Sequence, residues 1–485
     1  MRDGEYDKAG GYGGTPFLSR NVSARIGVLY FFALEGMYSG FLSAYLPLIQ
    51  SQMDLSDNTL GFALLFSNLG QVFATPAAGW AMRKSGSKIT TSLFALLYCL
   101  TLPCIALIDN KLPALCATLL LFGTLQGGMD CSMNSAGIAA EAGAGKPILG
   151  SFHGSFSIAA AAGGWAVSAA LAAGVSVLPL YTVLSAVCFL LAVLAGCYLY
   201  NKDEEKELVN GDGKDVAGGA AGDGDGDEND LHFLDGPSGV DARARPPESS
   251  STSFLSKVLM IPQTRQMALL SALGFLGIFT EAAIMWWLLI YYDRYFPAAP
   301  ASSRSFGFIF FEVSMGCGRF SVDRLRRLAG PRQLAMIGGL CACTGLSILS
   351  LAPLWTPKTG STSTSLDVLA ASFGMLLCGC GLSVIVPLTF VVAAYIGHSG
   401  TSIATVGCWM YAGGILSSPL LGAVSKATDS LQSAFAVLAA CALLIIPIGF
   451  FIKDDDRFLR GEDGGGGGGG GSEKSDDDIR APLLI

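Results

Sequence analysis

Charge is what this chain has least of. Asp, Glu, Lys and Arg make up 14% of its 485 residues, against about 25% in soluble domains. A water-facing surface of ordinary polarity is therefore excluded, and a membrane protein is indicated. Histidine is nearly missing, with three copies, and no nucleotide-binding motif occurs. That leaves no cluster for metal or nucleophilic chemistry, so neither an enzyme nor a cofactor is expected. Net positive charge is missing too: the formal charge is −8, which argues against nucleic acid as a partner. The loops lack cysteine. All 13 cysteines fall inside apolar runs, so they read as small packing residues and not as a disulfide framework. The polar, Gly-rich start followed by a long apolar run is unlike a cleavable leader.

What the chain does have is hydrophobicity, at 51% of residues. A hydrocarbon core about 30 Å thick takes roughly 20 helical residues. Runs of that kind are read at 26–49, 59–82, 89–108, 112–138, 152–174, 178–200, 266–291, 304–321, 333–354, 366–390, 401–424 and 430–452. The predicted fold class is an all-α membrane protein of twelve transmembrane helices in two six-helix bundles, 24–200 and 263–452. Lys and Arg favour the cytoplasmic side. With the N-terminus placed there, the outer loops hold only Lys111, Arg294, Arg304, Lys358 and Lys426 of the 30 basic residues. Both termini are thus predicted cytoplasmic.

Between the bundles, 201–262 is predicted to be an acidic, Gly-rich disordered linker. Over 201–250 it holds 14 acidic and 5 basic residues, which more than accounts for the net charge of the whole chain. Residues 1–23 and 453–485 are read as disordered tails. Leu483 and Leu484 resemble an acidic dileucine sorting signal, which leaves the host membrane open between the plasma membrane and an internal one.

A charged side chain in a span costs roughly 2.5–3.5 kcal/mol on insertion scales and is a functional candidate by default. The spans contain Glu35, Asp130, Glu281 and Glu312, none with a Lys or Arg nearby in its own span core. Counting 1.5 Å per residue puts Glu35 near the midplane and Asp130 in the inner half. Asp130, Asn134, Gly137 and Glu141 share one helical face. Easier protonation in a low-dielectric site suits a proton-coupling role; a protonated acid bonded to a neighbouring helix is the structural alternative. Among the aromatics, Tyr38, Trp286 and Trp409 are candidates for a substrate cavity, whereas Tyr291 and Tyr292 read as interface-belt residues.

The turn "GWAMRKSGSK" (Gly79 to Lys88) and the turn "GRFSVDRLRRLAGPR" (Gly318 to Arg332) occupy equivalent places in the two halves. Such twofold repetition of six spans resembles the major facilitator superfamily, whose inter-helix signature the second turn resembles through Gly318, Arg319, Asp323, Arg324 and Gly330. The first departs from it, with Arg83 where that family has Asp. The run Asp130, Met133, Asn134, Glu141, Pro147, Ser151, His153, Ser157 resembles the bacterial YbjJ-like transporters and, more distantly, the fucose permease. The resemblance implies secondary transport by alternating access, with spans 1, 4, 7 and 10 around a central cavity. The expected partners are a small organic solute, protons and the lipid bilayer, with the protein acting as a monomer. It also implies a cytoplasmic gate of Gly79, Gly86, Gly318, Arg319, Asp323 and Arg324 against Glu141, Ser151 and His153. The rival reading is a membrane scaffold or sensor that keeps the transporter fold.

Overall fold

The computed structural model describes residues 19–108, 111–146, 148–211, 262, 264–355, 365–397 and 400–453. The described residues contain helices and no strand. The first half consists of α1 (Arg20–Gln52), α2 (Asp57–Tyr98), α3 (Thr101–Ala106), α4 (Leu112–Ala142), α5 (Leu149–Ala172), α6 (Val177–Tyr198) and α7 (Lys202–Gly211). The second consists of α8 (Arg265–Tyr295), α9 (Ala301–Arg304), α10 (Phe306–Leu328), α11 (Pro331–Trp355), α12 (Ser365–Leu382), α13 (Ile385–Gly397), α14 (Gly400–Thr428) and α15 (Leu431–Phe450).

Among the described residues, nine stretches are long and apolar enough to cross a membrane. One of them, Asp57–Ala106, is two crossings. Gly127 of α4 lies against Gln71 and its neighbour Gly128 against Phe94. In a straight helix Gln71 and Phe94 would be about 35 Å apart, so the chain folds back between them. It does so at Gly86, whose φ of 79° and ψ of 168° lie where side-chain-bearing residues are strained. The sequence-predicted break between 82 and 89 is therefore real. Gly86→Ala is expected to cost about 1–3 kcal/mol, read as a lowered unfolding temperature in detergent. Two further crossings, α10 and α14, bring the total to twelve. The six charged positions Glu312, Arg319, Asp323, Arg324, Arg326 and Arg327 on α10 explain its low apolarity.

Two main seams join the halves, and Ser43 of α1 also donates to the Met285 carbonyl of α8 at 2.8 Å. Gly150, Gly154 and Gly164 of α5 lie against Arg319, Phe320 and Phe308 of α10. Gly61 of α2 lies against Ser418 of α14, and Gly422 of α14 against Asp57. Span 2 thus meets span 11 and span 5 meets span 8, the exchange a twofold pseudosymmetry requires. Glycine at these places lets backbones approach as they must when lipid supplies no hydrophobic drive between helices. The face carrying the start of α1 and the end of α15 is here the terminal face; the other is the opposite face.

The acidic segment departs from expectation at its start. Residues 202–211 form α7 instead of a disordered chain, because its charges find fixed partners on the terminal face. Arg20 donates to both carboxyl oxygens of Glu204, at 2.9 and 2.7 Å, and holds that carboxyl below its ordinary range. Glu205 accepts from Ser135 Oγ at 3.1 Å and from the Ser87 amide at 3.3 Å. Lys202 donates to the Arg83 and Lys84 carbonyls at 2.7 and 3.1 Å. The remainder of the linker, 212–261, lies outside the described residues, as do the tails 1–18 and 454–485.

Candidate functional site

Two polar clusters occupy the membrane interior. The first lies between α1 and α4. Glu35 is 6% exposed and accepts from Gln126 Nε2 at 3.0 Å. The Gln126 carbonyl in turn accepts from Gln71 of α2 at 3.0 Å, and Ser39 stands 3.5 Å from the Gln126 amide. One helical turn beyond Gln126, Asp130 feels the charge of Glu35 and accepts from Asn134 Nδ2 at 2.8 Å. Tyr411 of α14 faces the same carboxyls. Three helices of the first half and one of the second thus converge on two acids and a chain of amides.

Tyr411 is 51% exposed although it feels the charge of Asp130. Asn68 of α2 donates to the Gly414 carbonyl of α14 at 2.9 Å. From that level to the opposite face α2 and α14 stay in contact; toward the terminal face Phe73, Trp80 and Trp409 are exposed.

The opposite face is closed by a latch the sequence reading did not anticipate. Arg294, at the end of α8, makes a bidentate pair with Asp57, at the start of α2, with both bonds at 2.7 Å. Gln50 of α1 donates to Asp57 at 2.6 Å, and Ser425 of α14 donates to it as well. One carboxylate ties four helices from both halves. The sequence carried a weak signal: an acid after the Ser56 helix cap and a base at a helix C-terminus, two places where helix dipoles favour those charges.

The second cluster joins the halves deeper in the membrane. Arg319 of α10, expected at the cytoplasmic gate, is only 8% exposed. It donates to Glu281 of α8 at 2.6 Å and to Ser157 of α5 at 3.1 Å. The sequence placed Glu281 in the central cavity and Arg319 at the surface; the fold makes them an ion pair. The reason is direct: a guanidinium two turns inside α10 cannot reach water, so it turns to a buried carboxylate.

Other expected positions also move. Tyr38 faces the core of the first half, not the cavity. It is fully buried, its ring lies tilted against that of Tyr98 with centroids 4.8 Å apart, and it donates to the Cys99 carbonyl at 3.1 Å. Trp286, 5% exposed, packs into the apolar core. Tyr291 and Tyr292 are buried and bonded to the Leu349 carbonyl and to Ser372, so neither is a belt residue. Glu141 caps α5, accepting from the Ile148 and Leu149 amides, each at 2.7 Å; the stripe that begins at Asp130 thus ends at a helix N-terminus. Gly137 on that stripe packs against Leu149 and Phe152. Ser151 bonds its own turn through Ile148, and His153 packs edge-on to Phe32 at 4.9 Å while facing Arg319. Gly318 fits against Ser383, Arg324 is exposed, and Gly79 meets only its own Arg83. The side chain of Asp323, and Pro147, lie outside the described residues. Among the described residues no group of His, Cys, Asp and Glu is placed to hold a metal ion.

Comparison with known proteins agrees with this architecture. A family model described as the Major Facilitator Superfamily matches residues 28–418. An uncharacterized MFS-type transporter of Yersinia pestis is 25% identical over 434 residues, 89% of this chain and 95% of the relative. Membrane protein MosC of Rhizobium meliloti is 24% identical, with 88% and 87% covered. Among solved structures, the nucleoside transporter NupG superposes with a TM-score of 0.61 at 13% identity, covering 90% of this chain and 99% of that one. The xylose transporter XylE from E. coli, in a partially occluded inward-open conformation, gives 0.57 at 12% identity, with 90% and 98% covered.

Proposed function

The chain belongs to the Major Facilitator Superfamily, and we propose that this secondary transporter moves a small, uncharged polar solute coupled to protons through Glu35 and Asp130. The observation that carries the reading is the pair of carboxyls on facing helices α1 and α4. They are linked to amides and serine but to no cation in that cluster. A buried acid without a counter-ion takes up a proton more easily than one in water, and the neighbouring Tyr411 is half exposed. Gln71, Gln126, Asn134 and Tyr411 offer donors and acceptors suited to hydroxyls or a heterocycle. Nucleosides and xylose, which the like-folded NupG and XylE are named for transporting, belong to that chemical class.

On this reading the terminal face is cytoplasmic, in line with the Lys and Arg bias, and the conformation is inward-facing. The Asp57–Arg294 latch closes the outside, and the two bundles are the units that rock. The experiment is uptake into proteoliposomes of purified protein under an imposed pH gradient, screening nucleosides and monosaccharides. Wild type should concentrate one of them. Asp130→Asn should lose the response to the gradient while keeping downhill exchange. An Asp130→Asn and Glu35→Gln double variant that still concentrates solute would remove coupling from these residues.

A further inference from the structure

One buried group has no part in the central cleft. Glu312 of α10 is 1% exposed, and its Oε1 has no hydrogen-bond partner among the described residues. It lies seven residues before Arg319, two turns away on the same helical face. Arg319 spends one arm on Glu281 of α8, at 2.6 Å, and the other on Ser157 of α5, at 3.1 Å. Glu312 feels the charges of both Glu281 and Arg319. From the elements packed around the junction, His153 of α5 faces Arg319, and Cys378 of α12 faces Glu281. Oε2 of Glu281 is likewise buried without a partner.

The charge count decides what such a cluster can hold. Two carboxyls share one guanidinium. If both were ionised, one negative charge would lie in the membrane interior with no cation of its own. We propose that Glu312 is a second proton-binding site, whose carboxyl is protonated while α5 lies against α10 and gives its proton to water when the two helices part. The switch is Arg319. With α5 in place, the second arm of the guanidinium is held by Ser157. Once Ser157 withdraws, that arm is released and can turn to Glu312, stabilising its carboxylate. One proton passes from water to the Glu312 carboxylate on closure and returns to water on opening; Arg319 keeps its charge throughout. Protonation is thereby tied to the seam between the bundles and not to the solute cleft. The proposal rests on reading the chain as a rocking carrier.

The test is infrared difference spectroscopy of the full chain in lipid nanodiscs between acidic and alkaline pH. It is paired with hydrogen–deuterium exchange over 149–157, corrected for intrinsic rates. Wild type should show a protonated-carboxyl band that titrates, and exchange in this segment that rises with pH. Glu312→Gln should lose that band and flatten the exchange profile, whereas Asp130→Asn should keep both. Ser157→Ala, which frees the Arg319 arm permanently, should move the titration midpoint to lower pH. That variant also serves if Glu312→Gln does not fold, and an unmoved midpoint then overturns the proposal. A Glu312→Gln protein that keeps the band and the pH-dependent exchange overturns it too. Retained gradient-driven uptake in the Asp130→Asn and Glu35→Gln double variant would instead defeat the central-site reading and leave this one standing.

Discussion

Replacing Arg319 by Met is expected to cost about 3–5 kcal/mol of stability and to abolish transport. The guanidinium is 9% exposed and its partner Glu281 15%, so removing it strands charge in a low-dielectric site instead of returning it to water. Glu312 lies beside them with an unpartnered oxygen, so the loss leaves two acids facing each other. The side-chain volumes of Arg and Met are close enough that packing against α5 should survive, which makes the electrostatic cost the dominant one. A second substitution separates the two contributions. Arg319→Met with Glu281→Gln removes the ion pair whole, and replacing a buried pair by neutral groups is often close to neutral, so most of the stability should return while transport stays lost. Thermal unfolding of the purified variants in detergent reads both. An Arg319→Met protein within about 1 kcal/mol of wild type would show that the pair is solvated.

The second large effect is conformational. Arg294→Gln should shift the population toward an outward-facing state by about tenfold, since each 1.4 kcal/mol is a factor of ten. The latch has good bidentate geometry, but Arg294 is 37% exposed against 10% for Asp57. Solvent screening therefore discounts the pair to about 1–2 kcal/mol. Asp57 also loses the cation that organises Gln50 and Ser425 around it. A cysteine introduced at Ser418 makes a suitable reporter. That residue is buried against Gly61, and among the described residues its hydroxyl has no partner to lose. In a background freed of reactive native cysteines, an impermeant maleimide added from the opposite face should label it roughly ten times faster in Arg294→Gln. Equal labelling would mean that the α2–α14 packing alone keeps this face shut.

Helix length and placement were legible because lipid allows few ways to satisfy a backbone: apolar runs of about 20 residues must be helices. The turn at Gly86 was legible because a basic cluster with glycine interrupts two such runs. Glu35 and Asp130 could be picked out as a pair from cost alone, since an acid in a span needs a reason. The roles of Tyr38, Trp286 and Glu141 were not legible. Each depends on which neighbour its face meets, and helical periodicity gives the face but not the neighbour. Tyr38 turned to Tyr98 and Cys99 inside its own bundle, and Glu141 folded onto the N-terminus of α5 across a short loop.

By itself, then, the sequence determined a membrane protein of twelve helices in two related halves, with carboxyls in the membrane interior and family membership legible in its turns. Those follow from local quantities: hydropathy, spacing and the cost of charge in lipid. Only the tertiary structure decided which charges meet. Asp57 and Arg294 are 237 positions apart, and Arg319 finds Glu281 on another helix and Ser157 in the other half. An ion pair is a property of two places at once, and in this fold each place is fixed by a helix whose position its own sequence does not encode.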